Sequence, residues 1–344
     1  MTFRPLPLLG NPHVQTVLGN LLSGTTPPSH ARTHRVSLAD GDQVVVHESE
    51  PGMDAAPRLA LLVHGLGGSA QSGYMERMTH RLTECGWRVF RMDLRGAGAG
   101  MQLAQKFYSA ACSHDVRAVI DHLGVAFPGA PIAVVGFSLG GNIVLKLAGE
   151  AAEQSLPALR AVAALAPPID LVRCSELMAK QPLYDAWYVR QLIAQVRQHQ
   201  RRFPELPRLV FPSRTTLWQF DDLYTAPRWG YADALDYYRQ ASAVWRMAAI
   251  RVPTFVLTAR DDPFVAVESF ETLHLPSAVE IHITAQGGHL GFLGRDDTGG
   301  IRWAETQIVN WLNSVAMRTI SYQPSAISFQ PENGDFDTGS RCSG

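Results

Sequence analysis

The sequence has few cysteines, no excess of charge of either sign and no long apolar run. It has 4 cysteines among 344 residues, and none of them forms a C-x-x-C pair. This pattern argues against a disulfide framework or a zinc site and favours a reducing compartment. The formal net charge is -1, which gives no electrostatic argument for a nucleic-acid partner. We therefore expect neither a metal site nor a nucleic-acid partner.

The N-terminus and the most apolar window predict no membrane segment. The opening residues, MTFRPLPLLGNPH, include early prolines and lack the apolar core of a signal peptide. Residues 131–149 are mostly apolar, but they contain Asn142, Lys146 and several glycines. They fit a buried strand, a turn and a helix better than a membrane span. We expect a cytoplasmic protein without stable membrane insertion, and the sequence leaves its oligomeric state open.

Apolar strands alternate with helical patterns along the first half of the chain. Two short β runs, 35–38 and 43–48, form a hairpin around Asp40-Gly41. Further strands, with helices between them, are predicted over 59–64, 87–93, 132–137 and 159–165. Continuous apolar runs of this kind are typical of strands buried on both faces of a parallel sheet. The prediction is an α/β fold with a mostly parallel central sheet flanked by helices.

The alternation stops after the sixth predicted strand. From about residue 170 to 247 the pattern is helical and rich in aromatic side chains, and strands resume over 254–258 and 279–284. The simplest interpretation is a helical lid inserted between two halves of one sheet. We expect a single domain over residues 1–320. The polar tail over 321–344 is expected to be disordered.

A serine between two glycines follows one of the apolar strands. The motif Gly136-x-Ser138-x-Gly140 lies between a predicted strand and a predicted helix, the context of a nucleophile elbow. The glycines leave room for a sharp turn. The N–H of Leu139, at the start of the helix, would then face a developing oxyanion. A small residue in a buried turn is the alternative interpretation of Ser138, and the strand-turn-helix context favours the nucleophile.

A second glycine-rich turn follows the first buried strand. The segment HGLGG, residues 64–68, can bring another backbone N–H to the serine. We predict Leu66 as this second oxyanion donor, with Gly67 as the alternative. His64 is interpreted as a packed, hydrogen-bonded residue that supports the site and does not act as the base.

An acid and a histidine follow the last two predicted strands. Asp261 and Asp262 compete for the acid that would fix the tautomer of a catalytic histidine. His289 lies in a glycine-framed loop and can take a proton from Ser138, whereas His282 lies within a strand and is the weaker candidate. The order serine, acid, histidine along the chain is that of α/β-hydrolases.

No other motif predicts a cofactor. The segment Arg95-Gly-Ala-Gly-Ala-Gly lacks the full G-x-G-x-x-G spacing of a dinucleotide loop, and we interpret it as a tight turn. His114 and His122 lie on a predicted helix without forming a metal-binding set. We expect no cofactor and no metal.

Several longer motifs together resemble one family. They are NPHVQT at residues 11–16, HGLGGSAQSGYM at 64–75, GFSLGGN at 136–142, the run FDDLYTAPRWGYADALDYY at 220–238, and DDPF and GGHLGF. With them the chain resembles, over about residues 5–318, the YheT-like group of α/β-hydrolases. This group is related to the abhydrolase-domain esterases and monoacylglycerol lipases.

The resemblance implies a function and selects one of the two acids. It implies a triad of Ser138, Asp262 and His289, since Asp262 occupies the position of the family's acid. It also implies a small-molecule substrate: a carboxylic ester with a short or medium acyl chain, monoacylglycerols included. A thioesterase or acyltransferase would use the same residues. A non-catalytic protein that binds an apolar ligand is the alternative from another class.

Overall fold

The computed structural model describes residues 2–22, 32–52 and 58–320, and for residues 318–320 it describes the backbone alone. The predicted tail over 321–344, with Cys342, lies outside the described residues.

Eight strands form one sheet in the order β1-β2-β4-β3-β5-β6-β7-β8. β1 and β2 form an antiparallel hairpin, β2 also pairs antiparallel with β4, and all remaining pairs are parallel. This confirms the predicted α/β fold with a mostly parallel sheet. The strands are β1 (Arg32–Ser37), β2 (Gln43–Ser49), β3 (Arg58–Val63), β4 (Trp87–Asp93), β5 (Ile132–Phe137), β6 (Leu159–Leu165), β7 (Thr254–Ala259) and β8 (Val279–Thr284).

The hairpin strand β1 is longer than its apolar pattern predicts. It begins at Arg32, where Arg32 pairs with Glu48, and its first residues are mostly exposed. Because this strand lies at the edge of the sheet, its backbone pairing extends beyond the few positions that are buried. A prediction from apolar residues alone therefore shortens it.

Helices cover both faces of the sheet. α1 (Pro12–Leu21) precedes the hairpin, and α2 (Gly73–Glu84), α3 (Ser113–Ala126) and α4 (Leu139–Glu150) connect the central strands. The last two are α10 (Glu268–Glu271) and α11 (Trp303–Ile320). Side chains alternate between the two faces along β3, so that Leu61 joins one hydrophobic cluster and Leu62 the other. The cluster around Leu61 includes α3 and α4, and the cluster around Leu62 includes α2 and α11.

The chain between β6 and β7 is helical. We call residues 170–247 the helical insertion. It contains α5 (Leu171–Ala179), α6 (Pro182–Arg202), α7 (Leu217–Phe220), α8 (Ala226–Trp229) and α9 (Ala234–Ala241). A π-helical turn, Asp221–Thr225, joins α7 to α8. Several of its aromatic side chains, Phe220, Tyr224, Tyr237 and Tyr238, are buried in the cluster that also contains α3 and α4.

Candidate active site

The turn between β5 and α4 holds Ser138 in a strained conformation. Its φ is 50° and its ψ is −119°, in a region that residues with a side chain rarely adopt. A Cβ atom at Gly136 would lie 2.3 Å from the carbonyl oxygen of Gly140, and one at Gly140 would lie 2.4 Å from that of Val63. Only glycine fits at either position. The sharp turn of the G-x-S-x-G motif therefore exists because both flanking side chains are absent.

Three predicted side chains form one chain of hydrogen bonds. The Nε2 atom of His289 lies 2.8 Å from the Oγ of Ser138, and its Nδ1 lies 2.8 Å from the Oδ2 of Asp262. A carboxylate only accepts, so Nδ1 carries a proton and Nε2 is free to accept one from the serine. His289 is 6% exposed and the Asp262 side chain is fully buried. The arrangement can thus move a proton away from Ser138.

The two neighbouring acids have different partners. Oδ1 of Asp262 accepts the N–H groups of Phe264 and Val265 at 2.9 and 3.1 Å, which leaves Oδ2 for the imidazole. Oδ1 of Asp261 instead accepts the N–H of Gly288 at 2.9 Å. Its Oδ2 is buried without a hydrogen-bond partner among the described residues, and burial raises the pKa of this carboxyl. Asp261 therefore contacts the backbone of the loop that carries His289, and Asp262 contacts the imidazole itself.

The N-terminal helix α1 supports the loop that carries His289. The sequence analysis did not predict this contact. The N–H of His289 donates to Oγ1 of Thr16 at 2.9 Å. Gln15 is fully buried, and its side chain donates to the carbonyl of Leu293 at 3.2 Å and accepts the N–H of the same residue at 2.7 Å. The motif NPHVQT, to which the sequence analysis gave no role, is thus the start of α1, capped by the side chain of Asn11.

The predicted oxyanion donors lie beside the serine. Neither Leu66 N–H nor Leu139 N–H donates to an acceptor among the described residues. The N–H of Gly67, the alternative donor, is already bonded to the Tyr108 hydroxyl at 2.7 Å. Of these two N–H groups, only that of Leu66 is therefore left without an acceptor in the part of the chain that the structure describes.

His64 forms its hydrogen bonds with the backbone and takes no part in the hydrogen-bond chain of the serine. Its Nδ1 donates to the carbonyl of Gly65 at 2.8 Å, and its Nε2 accepts the N–H of Leu94 at 3.2 Å. Burial lowers the pKa of His64 and keeps it neutral. It joins the ends of β3 and β4, as expected of a packed supporting residue. His282 lies on β8 with its ring 6.0 Å from that of Trp303 and takes no part in the hydrogen-bond chain.

Two cavities meet at Ser138 and His289. The first is mainly apolar and is walled largely by the helical insertion, including Tyr188, Leu192 and Phe220. The second is more polar. Its lining includes Asn20, Ser72, Tyr74, Arg77 and Gln191. A ligand bonded to Ser138 can therefore extend in two directions of different polarity.

One carboxyl lies in the wall of the apolar cavity. Asp221, in the π-helical turn, accepts the hydroxyls of Thr225 and Tyr238 at 2.6 and 2.7 Å. Burial raises the pKa of this carboxyl from 3.8 to about 6. The sequence analysis placed Asp221 within a family motif but gave it no role.

Neither a metal-binding cluster nor a membrane-spanning helix is present in the part of the chain that the structure describes. Within residues 2–22, 32–52 and 58–320, no group of three histidine, cysteine or acidic side chains is placed to hold a metal ion. None of the helices in these ranges is both long and apolar enough to cross a bilayer.

Comparison with known proteins shows the family. The profile described as alpha/beta hydrolase fold matches residues 60–296. The Escherichia coli (strain K12) protein YheT is 33% identical over 322 residues, covering 91% of this chain and 93% of the relative. Phospholipase ABHD3 of Mus musculus is 29% identical, covering 81% and 70%. The monoacylglycerol lipase of Saccharomyces cerevisiae is 27% identical, covering 75% and 59%.

Solved structures show the same fold. An esterase of Pyrococcus furiosus, Pf2001, aligns with a TM-score of 0.56 at 17% identity, covering 85% of this chain and 97% of that one. A 2,6-dihydroxy-pseudo-oxynicotine hydrolase aligns with a TM-score of 0.57, also at 17% identity, covering 89% and 72%. Together with the match over residues 60–296 and the 33% identity to YheT, these likenesses show that the chain belongs to the α/β-hydrolase fold family.

Proposed function

We propose that this protein is a serine hydrolase that cleaves carboxylic esters through an acyl-enzyme on Ser138. The observation that carries the proposal is the hydrogen-bond chain from Ser138 through His289 to Asp262, built on a strained turn. The names of the relatives, which include a phospholipase and a monoacylglycerol lipase, support the ester class.

The first chemical step forms the acyl-enzyme. As the Oγ of Ser138 attacks the ester carbonyl carbon, Nε2 of His289 accepts its proton, and the C=O electron pair moves onto the oxygen. Asp262 stabilises the resulting imidazolium. The N–H groups of Leu139 and Leu66 bind the oxyanion, where the loss of one donor typically costs about 3 kcal/mol. The intermediate then expels the alcohol, which takes the proton from His289.

The second step releases the acid. Water takes the place of the alcohol, gives a proton to Nε2 of His289 and attacks the acyl carbon. The second tetrahedral intermediate then collapses, and His289 returns the proton to the Oγ of Ser138 as the C–O bond to the enzyme breaks. These steps use side chains and backbone groups of this chain and call on no cofactor.

The two cavities support a division of the substrate. We assign the acyl chain to the apolar cavity, because burial of each methylene there is favourable by about 0.8 kcal/mol. The alcohol is assigned to the more polar cavity, whose hydroxyl and amide groups can bind a hydroxylated leaving group. Because the insertion, residues 170–247, walls the apolar cavity, we propose that it acts as the lid of a single domain spanning residues 1–320.

We infer that the protein works in the cytoplasm. Its described cysteines, Cys85, Cys112 and Cys174, are free thiols, and burial raises the pKa of the last two. Buried protonated thiols are inert packing residues, as is typical of a reducing compartment.

Labelling with a fluorophosphonate probe tests the nucleophile. We expect the wild type to be labelled and Ser138→Ala not to be. Ser175→Ala is the matched control, since Ser175 lines the same cavity and its hydroxyl donates to the carbonyl of Val172. Equal labelling of Ser138→Ala, or no labelling of the wild type, would refute the assignment.

Hydrolysis of p-nitrophenyl esters of rising chain length, beside monoacylglycerols and acyl-CoA thioesters, then separates esterase from thioesterase activity.

A further inference from the structure

We propose that Tyr74 and Tyr108 are positioning residues for the oxyanion hole, because their hydroxyls hold the backbone N–H groups on both sides of Leu66. The inference rests on the proposed serine-hydrolase function and adds two residues that act through the backbone. We call residues 64–68, which follow β3, the oxyanion loop.

The two hydroxyls bind alternate N–H groups of this loop. The N–H of Gly65 donates to the Oη of Tyr74 at 3.0 Å, and the N–H of Gly67 donates to the Oη of Tyr108 at 2.7 Å. Between them, the N–H of Leu66 has no acceptor among the described residues. Of the three consecutive N–H groups, only the middle one is left for a ligand.

Both tyrosines are themselves held firmly. The Tyr108 ring stacks on Phe107 at a centroid distance of 4.6 Å, and its backbone N–H donates to the carbonyl of Arg95 at 2.9 Å. The Tyr74 ring lies 4.9 Å from that of Phe137, the residue directly before Ser138. Burial raises the pKa of both tyrosines, so both remain neutral hydroxyls at physiological pH. The loop is thus fixed to side chains that pack beside the nucleophile.

The glycines of the loop make the close approach possible. A Cβ atom at Gly68 would lie 2.7 Å from the Oη of Tyr74, and one at Gly65 would lie 3.1 Å from the Cβ of Ser138. The glycines of the HGLGG motif therefore permit two close contacts. Gly65 lets the loop approach Ser138, and Gly68 lets the Tyr74 hydroxyl approach the loop.

Fixed donors matter because an oxyanion hole is effective only when it does not reorganise during the reaction. If either hydroxyl is removed, a partly buried N–H beside Leu66 loses its acceptor, and the peptide units on that side can rotate. Rotation turns the Leu66 N–H away from the oxyanion. The ester ground state makes weaker use of this donor, so the loss is expected in kcat and not in KM.

The test uses phenylalanine variants, which keep the ring and remove only the hydroxyl. For Tyr74→Phe and Tyr108→Phe we expect kcat for a p-nitrophenyl ester to fall by about 10- to 100-fold, a part of the full loss of one oxyanion donor. KM should stay within about twofold. The affinity for a trifluoromethyl ketone, whose adduct on the serine carries an oxyanion, should fall by a factor similar to that of kcat. The acidic limb of the pH profile should not move, because His289 is untouched.

Tyr231→Phe is the matched control. Tyr231 packs against Tyr237 and lines neither cavity, and its hydroxyl has no hydrogen-bond partner among the described residues. The kcat of this variant should stay within about twofold of the wild type. Melting temperatures show whether each variant is folded, and Tyr74→Phe alone decides the matter if Tyr108→Phe does not fold.

Several outcomes would overturn the proposal. They are an unchanged kcat in the folded Tyr74 and Tyr108 variants, a raised KM with kcat retained, or a shifted acidic limb. Ser138→Ala, measured in the same assays, reports on the proposed function separately. If it keeps wild-type activity, both inferences fail. If it is inactive while the tyrosine variants are normal, only the role of the tyrosines fails.

Discussion

Asparagine substitutions at the adjacent residues Asp261 and Asp262 should change kcat by very different amounts. Each substitution replaces one carboxylate oxygen by an amide nitrogen. In Asp262→Asn, the amide oxygen can keep the N–H bonds of Phe264 and Val265. The NH₂ group then occupies the position of Oδ2, which lies 2.8 Å from Nδ1 of His289. Two donors would face each other there, so the imidazole must shift its proton to Nε2.

That shift removes the base. With a proton on Nε2, His289 donates to the Oγ of Ser138 and can no longer accept its proton. A tautomer reversed in this way typically lowers kcat by about four orders of magnitude. The fold should change little, because the two backbone bonds to residue 262 are preserved.

Asp261→Asn serves as the control in the neighbouring position. Its amide oxygen keeps the bond from the N–H of Gly288, and its NH₂ replaces an oxygen that has no partner among the described residues. At most one hydrogen bond of about 1 kcal/mol changes, so kcat should stay within about tenfold. The raised pKa of Asp261 means that its charged form opposes folding, and stability falls as the pH rises through that pKa. The variant should therefore be at least as stable as the wild type at pH 7.

The assay is the initial rate of p-nitrophenyl ester hydrolysis, with folding checked by thermal melting. If kcat falls by four orders of magnitude in Asp261→Asn and changes little in Asp262→Asn, the triad acid is Asp261 and the assignment of Asp262 is wrong. If both variants stay within tenfold, His289 does not act as a base oriented by either acid.

Three further predictions concern groups that support the site. Thr16→Val removes the acceptor of the His289 N–H, and we expect kcat to fall about tenfold with the melting temperature changing by only a few degrees. Asn142→Ala removes the side-chain partner of three buried backbone groups, the carbonyls of Ala110 and Ala241 and the N–H of Ala243. Urea denaturation should show a loss of about 2–4 kcal/mol, against about 0.5 kcal/mol or less for the exposed control Asn310→Ala. For Asp221→Asn, the folded pKa of about 6 lies above the ordinary 3.8, so the charge opposes folding as the pH rises from 4 to above 6. The stability of the variant relative to the wild type should be greater at pH 7 than at pH 4 by up to about 3 kcal/mol, and equal differences at both pH values would contradict the assigned pKa.

The elements predicted correctly are those that local pattern determines. Each central strand is an apolar run between turn residues. The candidate serine, acid and histidine each follow a strand end, and the structure brings their side chains into hydrogen-bond contact. A glycine on each side of Ser138 is required by contacts within the turn and with the end of β3. Such features are visible in a few consecutive residues, so the sequence alone predicts them.

The residues that the sequence analysis missed act over long distances along the chain. Thr16 meets His289 across 273 positions, and Tyr108 meets Gly67 across 41. A tyrosine or threonine in a loop has no pattern that distinguishes a hydrogen-bond partner of the site from an ordinary packed residue. These roles follow only from the folded arrangement, in which α1 and the loop before α3 contact the loops that follow the strands.

The choice among the candidate groups follows from which polar atoms remain free. Both oxygens of Asp262 are engaged, one by the backbone and one by the imidazole, whereas Asp261 has its accepting oxygen on the backbone alone. In the oxyanion loop the N–H of Gly67 is taken, while that of Leu66 is not. A buried polar group without a partner costs free energy, so a site that keeps one free N–H beside a nucleophile is expected to offer it to a ligand. On these grounds we propose Leu66 as the second oxyanion donor and Asp262 as the acid of the triad.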